Sequence, residues 1–257
     1  MKIVELNTEL EPLFWEHVNR DLPHYYFFAH DWRNFRSETE ILLALGDGGS
    51  IEGMMLTYDN KIVQLRGTPE SGRVLLEGLE LDHVELQAPK YHKQYVLERY
   101  EPTWSKELVL MKVRKGQEKL QQNHEVVTLD ESDAGQITAM LNGIQEFWRM
   151  DFTTEQCIEQ MSTTTWAGIK INGEIASIGR MRLTGEVGHV PTVATHVAHR
   201  NRGYATSIVS YLVEHILEKL PVAIIYVLGD NAPAIKVYRR VGFKPYRKYL
   251  LMRGDMR

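Results

Sequence analysis

The sequence predicts an α/β fold with a mixed sheet, arranged as two halves joined by a linker, and three observations predict it. In the second half the extended run Val187–Thr195, an amphipathic stretch after Gly203 and the apolar run Ala223–Leu228 read as strand, helix and a strand buried on both faces. That is a crossover unit of right-handed sense. The first half echoes the same order of elements. Between the halves, Arg114–Glu125 (RKGQEKLQQNHE) holds one aliphatic residue, Leu120, while apolar patterning is clear on both sides. The expected domains are residues 1–118 and 125–257.

In the first half Ile41–Leu45 and Ile51–Tyr58 flank the turn GDGGS and read as strands, and Lys61–Arg66 extends again. Ser71–Leu81 reads as a helix, Val84–Leu86 as a short strand, Lys90–Arg99 as a helix and Lys106–Val113 as a strand. Tyr95 and Pro102 keep the spacing of Tyr238 and Pro245, and the endings LVLMKV and YLLMRG are alike. In the second half Glu131–Met140 and Thr153–Met161 read as helices. Thr165–Ile171 and Ile175–Leu183 read as strands joined by Asn172-Gly173, which suits a type I′ turn. After Gly203 the residues Ile208, Val209, Leu212, Val213, Ile216, Leu217 and Leu220 recur at helical spacing, with Glu214, Glu218 and Lys219 on the other face. Pro221 ends that helix. A second helix, Ala232–Val241, stops at Gly242, a good residue for leaving a helix, and Lys248–Met252 closes the chain as a strand.

Composition narrows the function. The chain has 257 residues, 43% hydrophobic and 25% charged, with a net charge of −4. This is globular composition without a basic field, so nucleic acid is not an expected partner. The single cysteine, Cys157, allows no internal disulfide and frames no zinc site; in a helix it reads as structural. His24 and His30 have no companion at ligand spacing, so no metal is expected. The opening MKIVELNTELEPLFWE has no apolar signal region, and no run approaches the roughly 18 apolar residues of a membrane span. The expectation is a soluble cytoplasmic protein without a membrane partner. No G-x-x-x-x-G-K-[ST], G-x-G-x-x-G or G-x-S-x-G occurs.

The informative stretch is VATHVAHRNRGYA, Val193–Ala205, a strand that turns abruptly into a helix. Open amides at a helix N-terminus attract anions, small residues let a pyrophosphate approach the backbone, and Arg200 and Arg202 add cationic donors. Alone, R-x-x-G-x-A equally describes a turn with exposed arginines. Downstream stand Asn231, Ala234, Tyr238 and Gly242-Phe243, spaced N-x-x-A-x-x-x-Y-x-x-x-G-F. With both motifs on a strand–helix–strand–helix frame, the segment Val126–Arg257 resembles the GNAT superfamily of acyl-CoA-dependent N-acetyltransferases.

The resemblance implies a fold and a set of roles. The strands Val187–Thr195 and Ala223–Leu228 splay, and the pantetheine arm of acetyl-CoA lies between them, paired with the backbone of Thr195 and Val197. Arg200, Arg202, Gly203, Tyr204, Ala205, Thr206 and Ser207 hold the pyrophosphate. Asn231 lies near the pantetheine part, which is compatible with its other reading as a helix cap. Tyr238 protonates the leaving thiolate; a phenol near pKa 10 can protonate a thiolate whose thiol titrates near 8.5. His189 is the expected base, with Glu186 as the carboxylate alternative and His196 and His199 at the turn itself; packing on a strand face is the other reading of His189. Val197 stands where the family often has proline, and Pro191 interrupts the key strand, which a bulge tolerates.

The first half has no R-x-x-G-x-A; its loop G-T-P-E-S-G-R places Glu70 where a phosphate would be repelled, and Ala88-Pro89 replaces the asparagine. It reads as a degenerate GNAT-like domain that binds no acetyl-CoA and shapes the cleft or dimerises. The aromatic cluster Trp15, Tyr25, Tyr26, Phe27, Phe28, Trp32 and Phe35 reads as core rather than pocket. Phe147-Trp148-Arg149-Met150 lies where the family recognises its acceptor. The expected activity is acetyl transfer from acetyl-CoA to the primary amine of a small molecule or peptide by direct attack. The alternatives are a longer acyl donor, as in glycine N-acyltransferase-like proteins, and a non-catalytic acyl-CoA-binding protein.

Overall fold

In the computed structural model, residues 1–144 and 152–257 are described, and they form two units. The first takes Met1–Leu110, Leu228–Asp230 and Tyr246–Arg257. It begins with strand β1 (Lys2–Glu5) and helices α1 (Glu11–Asn19) and α2 (Tyr26–Asn34), none of which the sequence patterning announces. Strands β2 (Thr39–Leu45), β3 (Ile51–Tyr58) and β4 (Ile62–Gly67) follow as an antiparallel meander behind β1. Helix α3 (Pro69–Glu77) starts under the cap of Thr68, whose hydroxyl accepts from the Ser71 amide at 3.2 Å. It ends at Gly78, short of the expected Leu81. Strand β5 (His83–Pro89), helix α4 (Lys93–Arg99) and strand β6 (Tyr100–Arg114) complete the run.

Most of the N-terminal aromatic cluster is core, as expected, and Phe35, 37% exposed, is the exception. Phe14, Phe28 and Trp32 are buried against Ile41, Leu43, Met54 and Leu56, with Trp15 and Tyr25 partly covered. The helices carrying them escape helical periodicity because consecutive aromatics blur the polar face.

The second unit takes Met111–Val227 and Asn231–Pro245. Strand β7 (Val127–Leu129) leads to helix α5 (Ala134–Asn142) and then helix α6 (Thr154–Met161), which opens with a reciprocal Thr153–Gln156 capping box. Strands β8 (Thr165–Ile171) and β9 (Glu174–Thr184) form the hairpin expected at Asn172-Gly173, whose φ values of 54° and 85° are those a type I′ turn demands. Strand β10 (Val187–Thr195), helix α7 (Tyr204–Lys219), strand β11 (Val222–Leu228) and helix α8 (Ala232–Arg240) follow. Within this unit the strands lie in the order β11-β10-β9-β8-β7. Helix α7 buries Ile208, Leu212 and Ile216 on the sheet, and it lies close because two strand glycines face it. A Cβ at Gly179 would stand 2.4 Å from Ile208, and one at Gly188 would stand 2.2 Å from Ile216.

Two departures from the expected domains matter. The last strand, β12 (Lys244–Met256), was expected to close the second half. Instead Tyr249–Asp255 pairs antiparallel with Pro89–His83 of β5, and Tyr246–Arg257 belongs to the first unit. The first unit therefore reads β1-β2-β3-β4-β5-β12-β6, the last contributing its residues up to Leu110. The linker is also not free chain. Its amides at Gln121 and Asn123 donate to the hydroxyls of Ser210 (2.9 Å) and Ser207 (3.2 Å) on α7, and the Lys119 amide donates to Val241 O (2.9 Å). A polar strap laid on polar helix positions leaves no hydrophobic signature, which is why its composition resembles that of a linker.

The first unit also carries a built-in acid sensitivity. Burial, then the charges of Arg66, Arg247 and His17, push His24 down to about 2, and burial pushes His92 down to about 4 although its bond to Gly67 O opposes it. Both folded values lie below the unfolded value near 6.5, so the unfolded chain binds protons that the folded chain refuses. Stability is present above pH 6.5 and is lost as pH falls toward 4, by about 2 kcal/mol per histidine at pH 5. The thermal midpoint is expected to fall several degrees between pH 7 and 5, and to fall less in His24→Gln. A midpoint level over that range would show that neither histidine is held neutral.

Candidate functional site

The geometry of the second unit starts with how β10 is kept from pairing. Its ladder with β9 slips between His189 and Thr192, so that Pro191 sits in a bulge where its missing N–H costs no ladder bond. On the other side β10 pairs in parallel with β11 over only three rungs, Val187–Val222, Gly188–Ala223 and His189–Ile224. Beyond that rung neither Val190–Thr195 nor Ile225–Leu228 pairs with the other strand, so each offers backbone groups on that side.

His189 occupies the last rung and is 5% exposed. Its ring stands edge-on to Tyr226 of β11, with centroids 5.6 Å apart. Tyr226 was not among the expected site residues. The signal was present, since it is the one non-aliphatic residue in the run Ala223–Leu228. Glu186, the carboxylate alternative, lies exposed in the turn before β10, at the end of the strand opposite Thr195.

At the far end of β10 the Thr195 hydroxyl meets Ser177 Oγ at 2.8 Å, and its carbonyl accepts from Arg200 Nε at 3.4 Å. Val197 opens a short 3-10 turn, Val197–His199, with 70% of its surface exposed. His196 Nδ1 accepts from the Ala198 amide at 3.3 Å. Asn201 (φ 63°) and Gly203 (φ 86°) are both left-handed, which turns the chain sharply into α7. The Gly203 carbonyl takes the amides of Thr206 and Ser207 at 3.0 and 3.1 Å. The amides of Arg202, Gly203, Tyr204 and Ala205 donate to no partner among the described residues. Arg200 and Arg202 are exposed beside them and carry no ion pair among the described residues. This head of a sixteen-residue helix, with its open amides and two guanidinium groups, is electrostatically fit for a phosphate.

Asn231 caps α8, its Oδ1 accepting from the Ala234 amide at 3.2 Å. Tyr238 is buried at 7% exposure against Phe243, ring centroids 6.1 Å apart, and its hydroxyl makes no hydrogen bond among the described residues. Burial raises its pKa well above the ordinary phenol value, so it stays protonated throughout the neutral range. The stretch Phe147–Met150, expected to recognise the acceptor, lies outside the described residues. Cys157 is buried in α6, consistent with a structural role. Among the described residues no group of metal-ligating side chains comes together, and no helix is long and apolar enough to cross a membrane.

The first unit shows the same half-paired strands with the gap filled. Strands β4 and β5 pair in parallel over three rungs, Ile62–Glu85 to Gln64–Gln87. Arg66, fully buried, donates all five N–H groups to neutral oxygens of His24, Leu65, Gln64 and Gln87, and lies 4.4 Å over the Tyr249 ring. The Gly67 carbonyl is taken by Tyr91 Oη at 3.0 Å and His92 Nε2 at 3.2 Å. With the Thr68 amide on Glu52 O, Pro69 lacking an N–H and the Ser71 amide on Thr68 Oγ1, the helix head that corresponds to Gly203 keeps only the Glu70 amide without a partner among the described residues.

A bulged strand, a parallel neighbour that parts after three rungs and an amide-lined helix head together decide the architecture. The fold is that of the GNAT superfamily. Residues 168–252 match the family described as FR47-like protein, from within β8 into β12. No curated protein matches the chain. Among solved structures, a GCN5-related N-acetyltransferase from Sphaerobacter thermophilus is 13% identical with a TM-score of 0.66, covering 98% of this chain and 95% of its own. A Drosophila protein solved by structural genomics is 12% identical with a TM-score of 0.70, over 97% and 98% of the two chains. A tandem GNAT protein from the clavulanic acid biosynthesis pathway is 13% identical with a TM-score of 0.55, over 99% and 98%. At these identities the likeness establishes the GNAT fold, and the full-length coverage extends it over both halves of the chain.

Proposed function

We propose that the protein is an N-acetyltransferase that moves an acetyl group from acetyl-CoA to a primary amine on a small molecule or peptide. The observation that carries this reading is the three-rung β10–β11 ladder leading to the open amides of Arg202–Ala205. That pairing defect leaves strand backbone free for an extended amide-bearing arm, and the helix head supplies the complementary site for its pyrophosphate. In the reaction the neutral amine attacks the thioester carbonyl directly, forming the C–N bond as the C–S bond breaks. The thiolate takes a proton from Tyr238 Oη, whose burial keeps it protonated until then. The proton lost by the amine goes to His189 or to water, and Tyr238 is reprotonated from solvent. Asn231 holds the start of α8 and with it the helix that carries Tyr238.

In this reading the first unit binds no acetyl-CoA, because Arg66 fills the gap between its strands and Thr68 closes its helix head. The test is calorimetric titration with acetyl-CoA, joined to a thermal unfolding series. One site per chain is expected, with the midpoint raised several degrees at 100 times Kd, where binding contributes about 2.7 kcal/mol. Two sites would overturn the assignment of the first unit. Binding without thiol release in a broad amine screen would favour a non-catalytic acyl-CoA-binding protein. No binding would remove the reading altogether.

A further inference from the structure

We infer that His124, at the end of the strap that joins the two halves, is a positioning residue for the phosphate-binding loop. The inference rests on the cofactor reading above and adds to it a residue outside both motifs. His124 Nε2 donates to the Arg202 carbonyl at 2.8 Å, a contact across a long stretch of sequence. Its ring stands edge-on to Tyr204, centroids 4.6 Å apart and planes at 83°, and a Cβ at Gly203 would lie 3.5 Å from Nε2. The imidazole therefore lies over the residues that turn the chain into α7.

The consequence follows from the geometry of one peptide. The carbonyl of Arg202 and the amide of Gly203 share a trans peptide plane and point in opposite directions. Tying that carbonyl to His124 aims the Gly203 N–H to the other side, away from the imidazole. It also keeps a carbonyl oxygen, which would repel a phosphate, from rotating toward the anion. A left-handed glycine is otherwise free to flip this plane. The strap itself is held, because the Asn123 and Gln121 amides are bonded to Ser207 and Ser210 on the same helix. His124 is thus fixed relative to α7 independently of the loop that it restrains.

The experiment compares two ligands that share the thioester and the pantetheine arm. Acetyl-CoA carries the pyrophosphate, and S-acetylpantetheine does not. His124→Ala is expected to weaken acetyl-CoA binding about tenfold by calorimetry, equivalent to about 1.4 kcal/mol. The affinity for S-acetylpantetheine, read by competition, should stay within twofold of wild type. His124→Gln, whose side-chain amide can still donate, should recover part of the loss. In turnover the loss should appear in the KM for acetyl-CoA with kcat little changed. An unchanged acetyl-CoA affinity in His124→Ala, or an equal loss for both ligands, would overturn the positioning role. A wild-type protein that binds no acetyl-CoA would instead overturn the cofactor reading, a result visible before any variant is made.

Discussion

A chain ending at Pro245 is expected to lose the folded state of its first unit, even though every residue removed belongs to the half read as catalytic. The removed segment carries Tyr249 and Met252, both at 0% exposure, and Leu250 at 7%. Fully burying side chains of this kind contributes roughly 1.5–3 kcal/mol each. The seven-rung pairing with β5 is lost as well. These contributions together rival the roughly 5–15 kcal/mol by which a whole domain is stable. A second effect acts through Arg66. Its guanidinium is buried with no ion pair among the described residues, and Tyr249 covers it from one face while also bonding His24 Nδ1 at 2.7 Å. Removing β12 would open a buried charge that is held only by neutral acceptors, a costly arrangement once water and geometry are disturbed. The measurement is limited proteolysis and hydrogen exchange of the truncated chain, with cleavage expected first within residues 39–89. Tyr249→Ala should lower the midpoint in the same unit without deleting the strand. A truncated chain whose β2–β5 amides remain protected would show that β12 only decorates that sheet.

This exchange of the last strand marks where the sequence stops being readable. The local signals held. Asn172-Gly173 adopts two positive φ values, Gly203 is left-handed at the head of α7, Pro191 sits in a bulge and Asn231 caps α8, because each depends on the residue itself and its immediate neighbours. The elements of the crossover unit were legible for the same reason, since the stripe from Ile208 to Leu217 needs only one helix to define it. Pairing partners were not legible. Nothing in Lys248–Met252 says whether β5 or another strand lies beside it, as any strand with alternating apolar residues satisfies its ladder. The plug in the first unit was hidden for a related reason. Arg66 closes an extended run and looks exposed by type, yet Gln87 and Tyr249 bury it from remote positions. The short helices α1 and α2 were missed because their aromatics cover more than one face. His124 was passed over because its value lies in a partner, the Arg202 carbonyl, that a residue list does not contain.

Tyr238→Phe should lower kcat by about two orders of magnitude, toward the lower end of what general acid catalysis contributes, while acetyl-CoA affinity changes less than threefold. The reasoning begins with burial. Removing only the hydroxyl leaves the ring against Phe243 and the helix stripe intact, so the core is disturbed little. No hydrogen bond to that hydroxyl exists among the described residues, so the deletion orphans no buried partner and folding should be nearly unaffected. A tyrosine that serves only packing would therefore give a silent variant. The acid role predicts a slow one, and a slow one with a particular dependence on the leaving group. A donor whose thiol has a lower pKa departs without help, so the defect of Tyr238→Phe should shrink when the native thioester is replaced by a more acidic one. The pH profile offers a second discriminator. Because burial raises the Tyr238 pKa, wild-type kcat should show no alkaline decline from this group up to pH 10. Equal turnover in wild type and variant, or a defect of the same size for every leaving group, would remove Tyr238 from the proton path and leave it as part of the core.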